Sequence, residues 1–367
     1  MLYLGIVIVL ISTIITIYIS LNTKPSAKYS SMGKNSEKVQ LNDTEKPKDV
    51  TVIENVEKVE TKILKRNETH HISDLLKTSD YYGFGLSVQG KSHKKDPPIP
   101  CQDFHVIESF EDKYHYAIVS DGAGSAENSH VGSKIACESL SSLTKKYLEI
   151  SDEESINKLD NAKWYKIAFR LFEKTREELL SYSEDKNVDV ETLKCTLILI
   201  LQTTNGILTA NVGDGRAGCL SEGKYHSLMV PFQTFVIGST IFLIKDYWDQ
   251  FLRTSIYEIK KPEALFVISD GCDDFSFSQK GEVPEKEQGV YDKVHSEARY
   301  DHNQPFAGFY DALIGQINEL ISYNKIDKIL PIVEEIIDKG IFKENPVEGI
   351  QKEEDDKTMV MFLLKKQ

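Results

Sequence analysis

The chain has 367 residues, 40% of them hydrophobic, enough to bury one large core or two ordinary ones. Its 44 Lys and Arg against 57 Asp and Glu leave a formal charge of −13, which argues against nucleic acid or anionic lipid as the main partner. Five scattered cysteines without a Cys-x-x-Cys pair form neither a disulfide framework nor a zinc site and suit a reducing compartment.

Met1 to Thr23 contains no charged residue, and Leu2 to Leu21 is dominated by Ile, Val and Leu. About twenty such residues at roughly 1.5 Å each match a bilayer core of about 30 Å, so this segment is expected to be a transmembrane helix. A cleavable signal peptide would want a basic start and a shorter apolar stretch. Lys24, Lys28, Lys34 and Lys38 follow, with no basic residue ahead of them. The positive-inside rule then places everything downstream in the cytoplasm, giving a single-pass membrane protein. Residues 24–79 are rich in Lys, Glu, Asn, Ser and Thr and read as a polar, flexible linker.

Residues 80–366 have a globular texture. Strand-like runs lie at Gly83–Gln89, Phe104–Glu108, Tyr114–Ser120, Cys195–Gln202, Ile207–Val212 and Ala217–Leu220. Others lie at Phe232–Ile237, Thr254–Ile259, Ala264–Ser269 and Thr358–Leu364. Amphipathic stretches at Ser129–Glu149 and Ser155–Ser183 separate the third and fourth strands; Phe306–Ser322 and Ile326–Lys339 precede the last. This order predicts an α+β fold, not alternating βαβ units. Helices on both outer faces of two stacked antiparallel sheets would use every apolar face, an α-β-β-α arrangement. A charge-dense stretch at 273–303 reads as an insert loop on the surface.

Four acidic stretches punctuate these strands: Gln102-Asp103, Ser120-Asp121-Gly122, Ser269-Asp270-Gly271 and Asp355-Asp356-Lys357-Thr358. A carboxylate at the end of a buried strand is costly unless it is paired or bound to a cation. Several such ends converging from distant parts of the chain suggest hard oxygen ligands for Mg2+ or Mn2+. Glycine after each aspartate of the Ser-Asp-Gly elements permits a sharp turn and brings a backbone carbonyl near the same ion. Each piece also has an ordinary alternative: Asp-Gly as a turn, Asp355-Asp356 as a solvated patch, Asp214 as part of a hairpin connection.

In order along the chain, these pieces resemble the metal-dependent protein phosphatases of type 2C, closest to their compact bacterial branch. The match runs through Gly90-x-Ser92-His93, Pro100-Cys101-Gln102-Asp103, Val119-Ser120-Asp121-Gly122-Ala123-Gly124-Ser125-Ala126 and Val212-Gly213-Asp214-Gly215-Arg216. It continues through Ile268-Ser269-Asp270-Gly271 with Asp274 and ends at Asp355-Asp356-Lys357-Thr358. The resemblance implies a four-layer α-β-β-α sandwich with a two-metal centre at one end. It implies that Asp121 bridges two ions, that the Gly122 carbonyl ligates one, and that Asp270 and Asp355 hold the other. Asp103 would act through water, and Asp214, with Asp270 or Asp274, would form a third site. The reaction would be hydrolysis of phosphoserine and phosphothreonine esters by activated water, with Mn2+ or Mg2+ as cofactor.

The chain departs from its larger relatives at Gln102, where they carry a glutamate, and in lacking their phosphate-binding arginine. Ser92 and His93, or a neighbouring lysine, are the expected replacements for that arginine, although neither gives its bidentate fork. The expected partners are phosphorylated proteins and, through the anchor, a membrane-bound Ser/Thr kinase. The rival expectation is a pseudo-phosphatase that binds phosphoprotein without turnover. A scaffold with structural Ca2+ is a third reading, but no Asp-rich loop here has the spacing of a calcium motif.

Overall fold

The structure is a computed structural model that describes residues 71–95, 97–229, 240–278, 303–339, 341–342, 345–346 and 355–366, all within one compact unit, Lys46–Gln367. The expected anchor at Met1–Thr23 and the expected strand at Phe232–Ile237 lie outside the described residues. Among those that are described, no helix is long and apolar enough to cross a membrane.

Two antiparallel sheets form the centre. The first contains β1 (His71–Lys77), β2 (Tyr81–Val88), β7 (Arg216–Ser221), β8 (Lys224–Ser227), β10 (Ala264–Ile268) and β15 (Lys357–Leu364) in the order β1-β2-β15-β10-β7-β8. The second contains β3 (Phe104–Phe110), β4 (Tyr114–Ser120), β5 (Leu197–Gln202), β6 (Ile207–Val212) and β9 (Arg253–Tyr257), paired in chain order. Helices α1 (Ser129–Ile150), α2 (Glu153–Asn157) and α3 (Asn161–Lys186) follow β4; a short helix α4 (Asp273–Ser276) follows β10. Two-residue strands β11 (Phe277–Ser278) and β12 (Gln304–Pro305) pair with each other, as do β13 (Ile341–Phe342) and β14 (Asn345–Pro346). Between these ribbons run α5 (Ala307–Ser322) and α6 (Ile329–Lys339).

The alternation of side chains along a strand decides the layers. In β4, Tyr116 and Ile118 join the cluster under α1 and α3, while Ala117 and Val119 join the cluster between the sheets. In β15, Met359, Met361 and Leu363 pack with Phe309, Leu313 and Ile317 of α5, while Val360 and Phe362 face the other sheet. Strands buried on both faces read as continuous apolar runs, which is why β4, β5 and β15 stand out in the sequence. Trp164, on the inner face of α3, is fully buried, and its indole N–H donates to the Thr209 carbonyl at 2.8 Å. Tyr310 stacks on Phe266 with ring centres 3.8 Å apart and locks α5 to the first sheet. The four-layer sandwich expected from the sequence is the fold observed.

Three expectations change. The linker expected at 24–79 overlaps β1, whose alternating exposed and inward residues form a sheet edge along β2. An edge strand with half its side chains in water has the composition of a tether, so the folded domain reaches back to His71. The single helix expected at Ser155–Ser183 is two, because Asp160 accepts a hydrogen bond from the Lys163 backbone N–H at 2.8 Å and caps a new helix. The insert expected at 273–303 starts later: Asp273–Ser276 is helical and Phe277–Ser278 pairs with Gln304–Pro305. Residues 279–302 lie outside the described residues.

Candidate functional site

Four strand ends meet at one end of the sandwich. Phe104 pairs with Ser120, so Asp103, just before β3, and Asp121, just after β4, are neighbours in the second sheet. Ile268 pairs with Met359, which sets Ser269-Asp270 beside the start of β15 and hence beside Asp355. Ser269 and Thr358 clasp this junction: the Ser269 N–H donates to the Thr358 carbonyl at 3.0 Å, and the Thr358 N–H donates to Ser269 Oγ at 2.9 Å.

Glycine makes the approach close enough. A Cβ on Gly271 would stand 1.9 Å from the Asp356 carbonyl oxygen, so only glycine lets the Asp270 turn close on β15. On the other sheet a Cβ on Gly122 would lie 2.5 Å from the Gln102 carbonyl oxygen. The two Ser-Asp-Gly elements therefore serve one purpose twice.

The carboxylates feel one another. Asp121 is pushed well above the usual carboxylate range, first by burial and then by the charges of Asp103, Asp270 and Asp355, with a hydrogen bond to Asp270 acting in the same direction. Asp103 is raised by burial and by Asp356 and Asp355, against hydrogen bonds from the Ser269 and Thr358 hydroxyls. Gln102 Oε1 and Asp103 Oδ2 are buried and have no hydrogen-bond partner. Carboxylates raised by mutual repulsion, beside two orphaned buried oxygens, make a hard donor set that fits a divalent cation such as Mn2+ or Mg2+. Among the described residues no group of three or more His, Cys, Asp or Glu is drawn in tightly enough to enclose an ion.

The other expected site residues fall in different surroundings. Asp214 is half-buried in the β6–β7 turn, and a Cβ on its neighbour Gly215 would lie 2.7 Å from the Ile268 carbonyl oxygen. That puts Asp214 one turn away from Asp270, while Asp274 is half-buried in α4. His93, expected to contact phosphate, is buried instead, and its Nδ1 lies 2.9 Å from Asp356 Oδ1. Asp356 raises the histidine above its ordinary value despite desolvation. Ser92 is half-buried beside it.

Two residues with organising roles escaped the sequence reading. Asp356 is 3% exposed, and its carboxylate accepts from the backbone N–H groups of Gly90 at 2.7 Å and Gln102 at 2.5 Å as well as facing His93. It staples the 90–93 turn and the approach to Asp103 onto β15. Successive residues of an extended chain point to opposite sides, so an Asp-Asp doublet at a strand start was bound to bury one of the two. Arg216, 3% exposed, donates to Asp273 Oδ1 at 2.7 Å and lies 5.4 Å from the Phe277 ring centre. It holds the segment that follows Asp270, and a hairpin reading of residues 212–216 gave no hint of this.

The protein phosphatase 2C family pattern matches residues 89–319, a stretch that contains three of the four acidic turns. The chain belongs to the protein phosphatase 2C family. It is accordingly a metal-dependent serine/threonine protein phosphatase that acts on phosphorylated proteins. No curated protein matches the chain. Among solved structures it is similar to RsbX in complex with magnesium, at 13% identity over 80% of this chain and 100% of that one, with a TM-score of 0.41. It is also similar to serine-threonine phosphatase 2C from Toxoplasma gondii, at 11% identity over 80% of this chain and 99% of that one, TM-score 0.45. The catalytic domain of PstP in complex with two manganese ions is 14% identical over 78% of this chain and 99% of that one, TM-score 0.45. The assignment of this 2C phosphatase stands on the family match and does not draw on these likenesses.

Proposed function

We propose that this phosphatase hydrolyses phosphoserine and phosphothreonine esters at a two-ion centre, anchored by Met1–Thr23 on the cytoplasmic face of a membrane. The observation that carries the site is the convergence of the strand ends bearing Asp103, Asp121, Asp270 and Asp355, residues far apart in sequence. When bound, Mn2+ or Mg2+ supplies Lewis-acid charge and makes water nucleophilic at neutral pH. Asp121 would contact both ions, and the Gly122 carbonyl would contact one of them. Asp270 and Asp355 would hold the other ion, and Asp103, whose buried Oδ2 has no hydrogen-bond partner, would act through water. Asp214, with Asp274, is the candidate for a third ion.

The domain plan we propose is a 1–23 anchor, a linker shortened from the expected 24–79 to 24–70, and a phosphatase domain from His71 onward. Tethering raises the local concentration of membrane-associated phosphoproteins without any new contact. A membrane-bound Ser/Thr kinase is the partner whose products such an enzyme would meet.

A second reading is a phosphoprotein-binding module without turnover. It is favoured by Gln102 in place of a carboxylate and by the commitment of His93 to Asp356. Phosphate release from a phosphothreonine peptide by the full-length protein separates the two. Turnover that needs Mn2+, stops with chelator and is lost in Asp121→Ala supports the enzyme. Tight peptide binding with no release supports the module, and activity that survives both chelator and Asp121→Ala would sink the two-ion reading.

A further inference from the structure

Asp270 opens a short helical path, a 3-10 turn over Asp270–Cys272 that runs directly into α4. Three of its first five residues, Asp270, Asp273 and Asp274, are acidic. The path leaves β10, the middle strand in the order β15-β10-β7, so it can be held from either side. On the β15 side it is held by the Ser269–Thr358 clasp and by the close approach of Gly271 to Asp356. On the β7 side the holding group is Arg216.

Arg216 stands opposite Ile268 in the β7–β10 register, just ahead of the Ser269-Asp270 turn. Its Nε donates to Asp273 Oδ1 at 2.7 Å, and the Asp273 backbone N–H donates in turn to the Asp270 carbonyl. Its Nη1 donates to Asn303 Oδ1 at 3.4 Å, and the guanidinium lies 5.4 Å from the Phe277 ring centre. Phe277 pairs with Pro305 in the β11–β12 ribbon, and Asn303 is the residue just before β12. One guanidinium therefore joins β7, the turn that carries Asp270 and the foot of the ribbon. The side chains of the Arg216–Asp273 pair are 3% and 17% exposed. At that depth desolvation offsets much of the attraction, and replacing both charges with apolar groups of similar volume is often neutral for stability. What arginine adds in such a place is direction, because its planar fork fixes its acceptors and a flexible ammonium does not.

We propose that Arg216 is a positioning residue: by holding Asp273 it sets the Asp270 turn where the metal site needs it, and through Asn303 and Phe277 it ties that turn to the β11–β12 ribbon. The inference rests on the reading that Asp270 serves that site. The same bond keeps the Asp273 carboxylate engaged with β7 and out of the metal set. Partners behind a metal ligand are typically worth about 10–100-fold in affinity or activity. The consequence is that stability and metal affinity separate. Removing both members of the pair with their volume kept leaves the fold nearly as stable, yet frees the turn that carries Asp270.

The test compares Arg216→Met, the double variant Arg216→Met with Asp273→Leu, and Arg216→Lys, with Asp270→Asn as the control. All are made in the full-length protein. The readouts are the melting temperature in chelator, the Mn2+ concentration giving half of the maximal rise in that temperature without substrate, and the separate kcat and KM for a phosphothreonine peptide. The double variant is expected to melt close to the parent in chelator yet to need about tenfold more Mn2+, with kcat reduced and KM unchanged. Arg216→Met alone should need as much Mn2+ and melt lower, because it leaves the Asp273 carboxylate buried without its cation. Arg216→Lys keeps the charge but not the fork, and should recover the melting temperature and only part of the Mn2+ affinity. If either methionine variant does not fold, Arg216→Lys decides. Variants that bind Mn2+ like the parent, while Asp270→Asn binds it weakly, would overturn the positioning role and leave the metal site standing. Normal Mn2+ binding in Asp270→Asn as well would overturn both.

Discussion

Asp121→Asn should make the metal-free protein more stable while destroying its activity. Asp121 is held well above the usual carboxylate range by burial and by three neighbouring carboxylates. Two like charges about 5 Å apart at an effective dielectric near 20 repel by roughly 3 kcal/mol. Because the cluster relieves part of that repulsion by taking up protons, the neutral amide should gain about 1–3 kcal/mol near neutral pH. In a domain of this size that corresponds to a rise in Tm on the order of 5 °C. An acid whose folded pKa is raised contributes stability that is fully present below its unfolded value near 3.8 and is lost as pH rises through the folded value. The advantage of the amide should therefore be absent at about pH 3.5 and grow as pH rises toward 8. Excess Mn2+ should reverse the order, since a ligand that binds only the folded protein stabilises it by mass action and the variant has lost a ligand. Thermal melts in chelator and in Mn2+ across this pH range read all three effects. A variant that melts below the parent in chelator at pH 8, or that gains as much from Mn2+ as the parent does, would refute the reasoning.

Asp356→Ala should cost about 3–5 kcal/mol, measured by urea unfolding, because it strands the buried Gly90 and Gln102 N–H groups and His93 without their acceptor. Gly271→Ala should abolish Mn2+-dependent stabilisation even if the protein folds, since the methyl group would stand 1.9 Å from the Asp356 carbonyl oxygen and must push the Asp270 turn off β15. A melting curve with Mn2+ like that of the parent would contradict it. A protein starting at residue 80 should be less stable than one starting at residue 71 by more than 2 kcal/mol, because it loses β1 and leaves the hydrogen-bonding edge of β2 open. Equal urea midpoints would show that β1 contributes nothing.

The fold was legible where burial is two-sided. The runs at 197–201, 264–268 and 359–364 have uninterrupted apolar texture because both faces of their strands are covered. β1 and β8 were not legible: at a sheet edge half the side chains meet water, and His71–Lys77 and Lys224–Ser227 read as loop. At the site, the four acidic turns could be found because each aspartate follows or precedes such a run. What the residues could not reveal is which polar groups face inward. His93 was expected to contact phosphate and Asp356 to belong to an acidic turn or a solvated patch, yet they bond each other in the interior. Nor does spacing indicate that Ser87, His105 and Thr358, from three different strands, bond one another in the core. Such contacts depend on the stacking of the sheets, which no local pattern encodes.

The most direct test of the account is crystallographic: diffraction from Mn2+-soaked crystals, with the ions located by their anomalous signal. The account predicts two strong peaks in the cleft, one Asp121 oxygen bonded to each, with Asp270 and Asp355 on one ion and the Gly122 carbonyl on the other. Peaks elsewhere on the molecule, or a single ion that Asp121 does not touch, would contradict it.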